Sequence, residues 1–465
     1  MSGPPVKSEL PWLRRDTNLS FALAILGVIA VAVLVHSTVI SLIAVVSLVT
    51  LAALRPAASV VAIPATVGFV LEPVHVRGLE FSPQEVLLVT TVAGIGLNVL
   101  LSGWQESPIK RLTSFVTEVR RSVVAVDAIA FLFLLVGVVS LFTLALPAYR
   151  HESIRDFRWT ILEPVIFFGL ARWYLKDQHN RRLAVTLFVG GATLVAISGI
   201  VSLISGHALS VEGVSRVSGV YDHPNALALF LERPFVLCVG MSALFRKRIQ
   251  WYWLAPAAIV GVVLVMTFSR GAVLAAGLSV IAILLLGRQL RLAALATGAG
   301  AILAAGLAIT ASARIDNLFS GGSGSLRIDL WKSSIQMIRD HPIFGIGPDQ
   351  FLYVYAPRYI KPQAWSERFT SHPHDIILDI WLRLGIMGVV LALAYLAILA
   401  WMTVGIMRRR RTLGLAAAGA LLVGMLHGLV DNGYFLPDLA LLFWFLTALV
   451  TVEAQDDSSE TALLT

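Results

Sequence analysis

The chain has 465 residues, of which 57% are hydrophobic and 14% charged. A soluble domain carries about 25% charged residues, so the composition excludes a soluble globular protein. It points to an all-α polytopic membrane protein whose helices each need about 20 residues to cross hydrocarbon. The formal net charge of +8 is no nucleic-acid footprint, because Arg and Lys sit in short clusters between apolar runs, where they report orientation.

The stretch Met1 to Ser20 is polar and basic, with no clean signal peptide. Apolar segments then begin near Leu19, Val39, Ala57, Gln84, Val123, Trp159, Leu183, Asn225, Trp251, Gly271, Leu292, Ile376, Thr412 and Pro437. That is about fourteen spans, or about twelve if two short ones are miscounted. The single cysteine, Cys238, lies in an apolar run and has no partner for an intramolecular disulfide. With an even number of spans, one set of loops collects the basic clusters: Lys7/Arg14/Arg15, Arg55, Lys110/Arg111/Arg120/Arg121, Lys176/Arg181/Arg182, Arg246/Lys247/Arg248, Arg288/Arg291 and Arg408 to Arg411. Those loops read as cytoplasmic, with both termini on that side. The chain reads as one membrane domain, 1–465, with a large outer loop at 312–375 and a disordered acidic tail at 454–465. In the outer loop, a flexible "SGGSGS" precedes "LRIDLWKSSIQMIRDHP", which is predicted to be an amphipathic helix. Ile328, Trp331, Ile335 and Ile338 share its apolar face, and Pro342 stops it. It would lie on the outer membrane surface or cap a cavity.

The segment "FTSHPHDIILDIWLRLGIMG" (Phe369 to Gly388) concentrates titratable groups at the mouth of a span. Pro373 suits a first helical turn, so the helix is predicted to start at His374, whose imidazole the helix terminus would hold neutral and competent as a general base. His372 is the competing base; standing two residues away across Pro373, it is not expected to face the same cavity. Asp375, Asp379 and Arg383 would form a polar stripe at i, i+4 spacing, and Gly385 and Gly388 would permit close helix packing. The alternative is that both histidines merely cap an interfacial helix. On the same side lie Arg216 in "SRVSGVYDHPN", Arg270 in "TFSRG", and Arg327 at the start of the surface helix. Positive charge there runs against the orientation rule, and arginine suits bidentate capture of phosphate. The opposing reading pairs them with Asp222, Asp316 or Asp329, or with lipid headgroups. Glu232 and Arg233 are intramembrane charges with two readings, a function or a local ion pair at a Pro-kinked helix. His427 and Asp431, at i and i+4, read as structural. No Asp-x-Asp, phosphate-cradling Gly-rich loop or zinc spacing appears, so no metal or cofactor is expected.

These blocks resemble the bacterial O-antigen ligases and the related O-antigen polymerases. "HDIILDIWLRLGIMG" is similar to the family's His, small polar residue, nine residues, Gly-x-x-Gly pattern, with Asp375 where Asn, Ser or Gln is usual. "RVSGVYDHPN", "TFSRG" and "LRIDLWKSSIQMIRDHPIFGIGPDQF" resemble its preceding blocks in order, from about Arg216 to Gly388. The resemblance implies a GT-C-like, metal-independent, inverting glycosyltransferase in the bacterial cytoplasmic (inner) membrane, with its site facing the periplasm. It implies an undecaprenyl-pyrophosphate-linked glycan as donor and a glycan or lipid as acceptor. His374 would be the catalytic base and Arg216, Arg270 and Arg327 the pyrophosphate ligands, with His372, Asp375, His223 and Asn225 as supporting candidates. Three functions stay open: a ligase, a polymerase extending a lipid-linked glycan, and a transporter or flippase of lipid-linked sugars. The last should show matched internal repeats, and the sequence has none.

Overall fold

The computed structural model describes residues 11–102, 124–206, 209–211, 214–244, 251–310 and 323–456. The basic clusters at 110–121 and 246–248 and most of the tail at 454–465 lie outside them; of the "SGGSGS" run expected to be flexible, Ser320 to Gly322 lie outside, whereas Ser323 to Ser325 are helical. Helices dominate. In chain order they are α1 (Pro11–Val35), α2 (Thr38–Leu54), α3 (Pro56–Thr66), α4 (Pro83–Ser102), α5 (Ala125–Ser140), α6 (Arg150–Phe157), α7 (Glu163–Tyr174), α8 (Gln178–Ile204) and α9 (Pro224–Ala243). They continue with α10 (Trp251–Met266), α11 (Arg270–Leu286), α12 (Leu290–Thr310), α13 (Ser323–Asp340), α14 (Phe351–Arg358), α15 (Ile376–Arg409), α16 (Thr412–Gly428) and α17 (Pro437–Gln455). Each apolar segment found in the sequence carries a helix. Among the described residues, six helices are long and apolar enough to cross a membrane by length and composition, and seven shorter ones are also apolar. The chain is an all-α polytopic membrane protein.

Two compact units divide the chain. Met1–Arg121 with Leu170–Gly191 form one, and Ser122–Gly169 with Ala192–Thr465 form the other. In the first, α1 packs on α2 and α3, α2 packs on α4, and a hairpin pairs β1 (Val74–Val76) with β2 (Leu79–Phe81). In the second, α9 packs on α10, α11 and α16, while α17 packs on α16 and α15 packs on α5. Helices α9 and α17 are mostly apolar and mostly buried, whereas α15 leaves most of its surface exposed, including Leu393 and Trp401. That is the expected split between inner helices and helices that meet lipid.

The feature that positions the site is a break in α15. Gly385 has φ 69° and ψ −167°, a region essentially restricted to glycine. The break frees backbone groups, and the segment "IFGIG" fills it. Ile346 and Gly347 donate their N–H groups to the Leu382 carbonyl at 2.6 and 3.2 Å, and Ile386 donates to the Ile343 carbonyl at 3.1 Å. A Cβ on Gly385 would collide with the Ile343 carbonyl, and one on Gly345 with the Leu382 carbonyl. The glycines of the Gly-x-x-Gly pattern therefore do not serve close helix–helix packing, as the sequence led us to expect. Gly385 admits a loop backbone, and a Cβ on Gly388 would meet its own helix at Leu384 and Ile380.

The outer segment also corrects one expectation. Helix α13 forms and ends before Pro342, but its buried face is Leu330, Ser333, Ser334, Met337 and Ile338, while Ile328 and Ile335 are exposed. The reason is packing: Leu330 and Met337 join Phe351, Val354, Tyr355 and Leu382 in one cluster, so the helix turns toward the base of α15. Trp331 is spent on a hydrogen bond, described next.

Candidate active site

Asp375 caps the helix that follows it. Its backbone is extended, and its carboxylate accepts the N–H groups of Ile377 and Leu378 at 2.9 Å each, an N-cap. The helix therefore begins at Ile376, not at His374, and Asp375 is no member of a polar stripe. Only Asp379 and Arg383 pair along it, at 2.8 Å, and Arg383 also bonds Asp156. His374 precedes the cap with a left-handed backbone, φ 53°. Bulky residues avoid that region, and such strain concentrates where structure serves function.

The ring of His374 faces a partner that sequence spacing concealed. Its Nδ1 lies 3.0 Å from Asp431 Oδ1. Asp431 stands just past the end of α16, in the "DNGYF" turn, so it shares no helix face with His427. The turn is held rigidly. Asn432 accepts the N–H groups of Tyr434 and Phe435, and Asn432 N–H closes on Asp431 Oδ1 at 2.8 Å. Tyr434 donates its hydroxyl to the Thr160 carbonyl at 2.8 Å, within the widened π turn between α6 and α7. Burial would raise the Asp431 carboxyl, yet the imidazoles of His372 and His374 beside it hold it well below the usual carboxylate range. With Asp431 ionised, the proton in this hydrogen bond sits on His374 Nδ1, and Nε2 keeps the lone pair of a general base.

His372 faces the same carboxylate. Its Nε2 is 3.7 Å from Asp431 Oδ1, and its ring lies 4.4 Å from that of His374, edge to face. The expectation that the two histidines diverge across Pro373 was wrong, because the left-handed turn at His374 swings both rings to one side. Burial lowers the His372 pKa. His372, His374 and Asp431 each offer one donor atom, all within 4.8 Å of one another, a set with the chemistry to hold a metal ion. The 57-residue gap between His374 and Asp431 hides that set from any spacing rule.

Helix α13 closes the site from one side. Arg327 Nη2 lies 3.5 Å from Asp431 Oδ2, and one turn on, Trp331 Nε1 donates to the His374 carbonyl at 3.4 Å. Arg327 therefore pairs with Asp431 rather than Asp329, which lies nearer Lys361, at 3.6 Å. Arg216 closes another side from strand β4 (Val214–Arg216), paired with β3 (Leu209–Val211). Its Nε donates to the Thr267 carbonyl and its Nη2 to Asn225 Oδ1, both at 2.6 Å. Thr267 opens the "TFSRG" turn, so Arg216 is tied to the turn that carries Arg270. Asn225 thus anchors Arg216, and His223 caps α9 by accepting Asn225 N–H at 3.1 Å. Burial and the Arg216 charge lower the His223 pKa, while Asp431 opposes them. Arg270 is exposed as the first residue of α11 and makes no hydrogen bond or ion pair among the described residues. A cation is disfavoured at the positive end of a helix, which leaves Arg270 ready for an anion. Asp316 lies outside the described residues.

Below the site, Glu232 and Arg233 are fully buried but are not primarily each other's partners. Glu232 Oε2 meets His427 Nδ1 at 2.7 Å, and Arg233 donates to the Gly433 carbonyl at 2.7 Å, bracing the turn that holds Asp431. An apolar cavity of about 250 Å³ lies alongside, lined by Ile376, Ile380 and Leu396 of α15, Phe133 of α5 and Trp444 of α17, with Arg233 at one edge. The lining runs along α15 from Ile376 to Leu396, on both sides of the break at Gly385.

Residues 255–393, about a third of the chain, are similar to the family model for O-antigen ligase. The match contains Arg270, Arg327, His372 and His374 but not Arg216, His223, Asn225 or Asp431. No curated protein matches the chain.

Proposed function

We propose that this protein belongs with the O-antigen ligases, whose family model its residues 255–393 match, and transfers a glycan from undecaprenyl pyrophosphate to an acceptor hydroxyl on the outer face of the cytoplasmic membrane. The observation that carries this reading is the His374–Asp431 pair at 3.0 Å, partly open and bordered by arginines. His374 Nε2 takes the proton of the acceptor hydroxyl. That oxygen attacks the anomeric carbon from the face opposite the leaving group, the bond to the pyrophosphate breaks with inversion, and the pyrophosphate departs with the electron pair. Arg216 and Arg270 stabilise the charge that develops on it. Arg327 shares its charge between Asp431 and the leaving group. The long apolar cavity beside Ile376 suits the prenyl chain of the donor. The basic clusters of the loops favour both termini inside and this site outside.

Purified protein with a lipid-linked glycan and candidate acceptors tests the proposal. A single transferred product is expected for a ligase, and a ladder of products would make the enzyme a polymerase. Movement of intact donor across vesicles without transfer would overturn both in favour of a transporter. Transfer is expected to survive a chelator; loss in chelator with recovery on added metal would turn His372, His374 and Asp431 into a metal site. Arg216→Lys keeps the charge but loses the planar fork, so transfer should fall by about tenfold or more while the protein remains folded.

A further inference from the structure

The other end of α15 carries a second cavity, of about 360 Å³, between the C-terminal ends of α11 and α15 and the start of α16. Arg288, Arg408, Arg410 and Arg411 line it, together with apolar side chains that include Leu286 and Val404. Arg411 is occupied: it donates to the Asp456 carbonyl at 2.8 Å and lies 3.5 Å from the Asp456 carboxylate. Arg288, Arg408 and Arg410 make no ion pair or side-chain hydrogen bond among the described residues. Four arginines thus line one concavity, and one of them pairs with the Asp456 carboxylate.

The backbone holds two of the three unpaired arginines in an unusual conformation. Arg410 caps α15 with φ 56°, and Arg288, just after α11, has φ 58°. Left-handed positions after helices normally go to glycine, and a β-carbon there is strained. Here both positions carry the same cationic side chain and both border the same cavity. Two blander sources of positive charge are the orientation rule and the negative end of a helix dipole. Either would accept Arg anywhere near the helix end. Neither requires convergence on one cavity. Arg409 supplies the contrast, since it shares the sequence neighbourhood but donates to the Ala454 carbonyl at 2.7 Å and does not line the cavity.

We propose that this cavity binds a phosphate-bearing anion, supplied by the headgroup of an anionic membrane phospholipid. Guanidinium groups match phosphate oxygens in geometry and charge. Basic pockets between membrane helices take such headgroups. The apolar wall argues for a lipid over a soluble phosphate: Leu286 and Val404 are exposed, as are Leu285 and Leu290 beside them, giving an acyl chain a surface to follow away from the arginines. This site is independent of the reading of His374.

The full chain, purified and placed in nanodiscs of phosphatidylcholine with or without phosphatidylglycerol, tests this by native mass spectrometry of retained lipid. Wild type is expected to retain phosphatidylglycerol over phosphatidylcholine. Arg288→Gln and Arg410→Gln should each weaken that retention by about tenfold, the loss of one charged hydrogen bond, while Arg409→Gln leaves it unchanged. Unfolding midpoints in pure phosphatidylcholine show that each variant is folded, and Arg408→Gln serves if one is not. Inorganic phosphate that displaces the lipid and itself raises the unfolding midpoint of wild type, but not of Arg288→Gln, would assign the same site to soluble phosphate. Equal retention of both lipids by wild type with no protection by phosphate would overturn the proposal. So would equal losses in the Arg288, Arg410 and Arg409 variants.

Discussion

Two histidine–carboxylate pairs lie in the same unit and differ in access. His374 meets Asp431 at 3.0 Å with side chains 23% and 6% exposed, while His427 meets Glu232 at 2.7 Å with side chains 2% and 0% exposed. The two pairs share one chemistry. What separates them is the second imidazole nitrogen. For His427 it faces the backbone of α11, where a Cβ on Gly271 would lie 2.8 Å from Nε2, so no substrate atom fits. His374 stands on a turn at the end of a half-helix, with Nε2 turned from its partner carboxylate. A paired histidine becomes a base only where its free nitrogen can reach a substrate; sealed, the same pair serves the fold.

The sharpest separation of the two pairs is kinetic. His374→Ala should lower transfer by about 10²–10⁴ with the unfolding midpoint nearly unchanged, measured in membranes at matched expression. Loss of folding would place His374 with the sealed pair. The mirror experiment is His427→Ala, which strands a buried carboxylate and should cost roughly 3–5 kcal/mol of stability, read as aggregation in detergent. His427→Gln should recover most of it; full stability in His427→Ala would remove the structural assignment. Asp431→Asn removes the charge that fixes the His374 tautomer. It should slow transfer by about 10- to 100-fold, the worth of a charged hydrogen bond, and an unchanged rate would leave His374 acting alone. Gly385→Ala should lower the unfolding midpoint through roughly 1–3 kcal/mol of backbone strain.

The smallest effect is a pH dependence. Burial lowers the His372 pKa in the folded state, below its ordinary value of about 6.5. Protonation then favours the unfolded chain. The contribution is fully present above about pH 6.5 and is lost as pH falls from there toward the folded pKa. Thermal unfolding compared at about pH 7.5 and about pH 5.5 should show a larger acid loss in wild type than in His372→Gln. Equal losses would acquit His372.

The sequence disclosed the elements that repeat a local rule. Apolar runs became helices, Pro342 ended α13, and the basic and acidic side chains at 374–383 gathered at one helix entrance. It hid what depends on distant segments meeting. Asp431 reads as one acid in a short turn until the fold brings it to His374. The apolar face of α13 was misread because both of its stripes hold isoleucine or leucine, and only contact with Tyr355 and Leu382 chooses between them. Pro373 was taken as a first helical residue because spacing cannot report a left-handed backbone. Asn225 was legible as part of a Pro-Asn pair, though its work, holding Arg216, was not.

The break at Gly385 has a consequence for how the protein is assembled. Segment 376–409 would measure about 50 Å as one straight helix, well beyond the roughly 30 Å of a hydrocarbon core. The break at Gly385 divides it, and the freed carbonyl at Leu382 takes its donors from Ile346 and Gly347, because lipid supplies none. Those donors leave the ribosome earlier and wait outside the helix. Insertion of this long span and closure of the preceding loop are therefore one event in biogenesis, and lesions at 343–347 or 382–386 should deplete the mature protein rather than slow it.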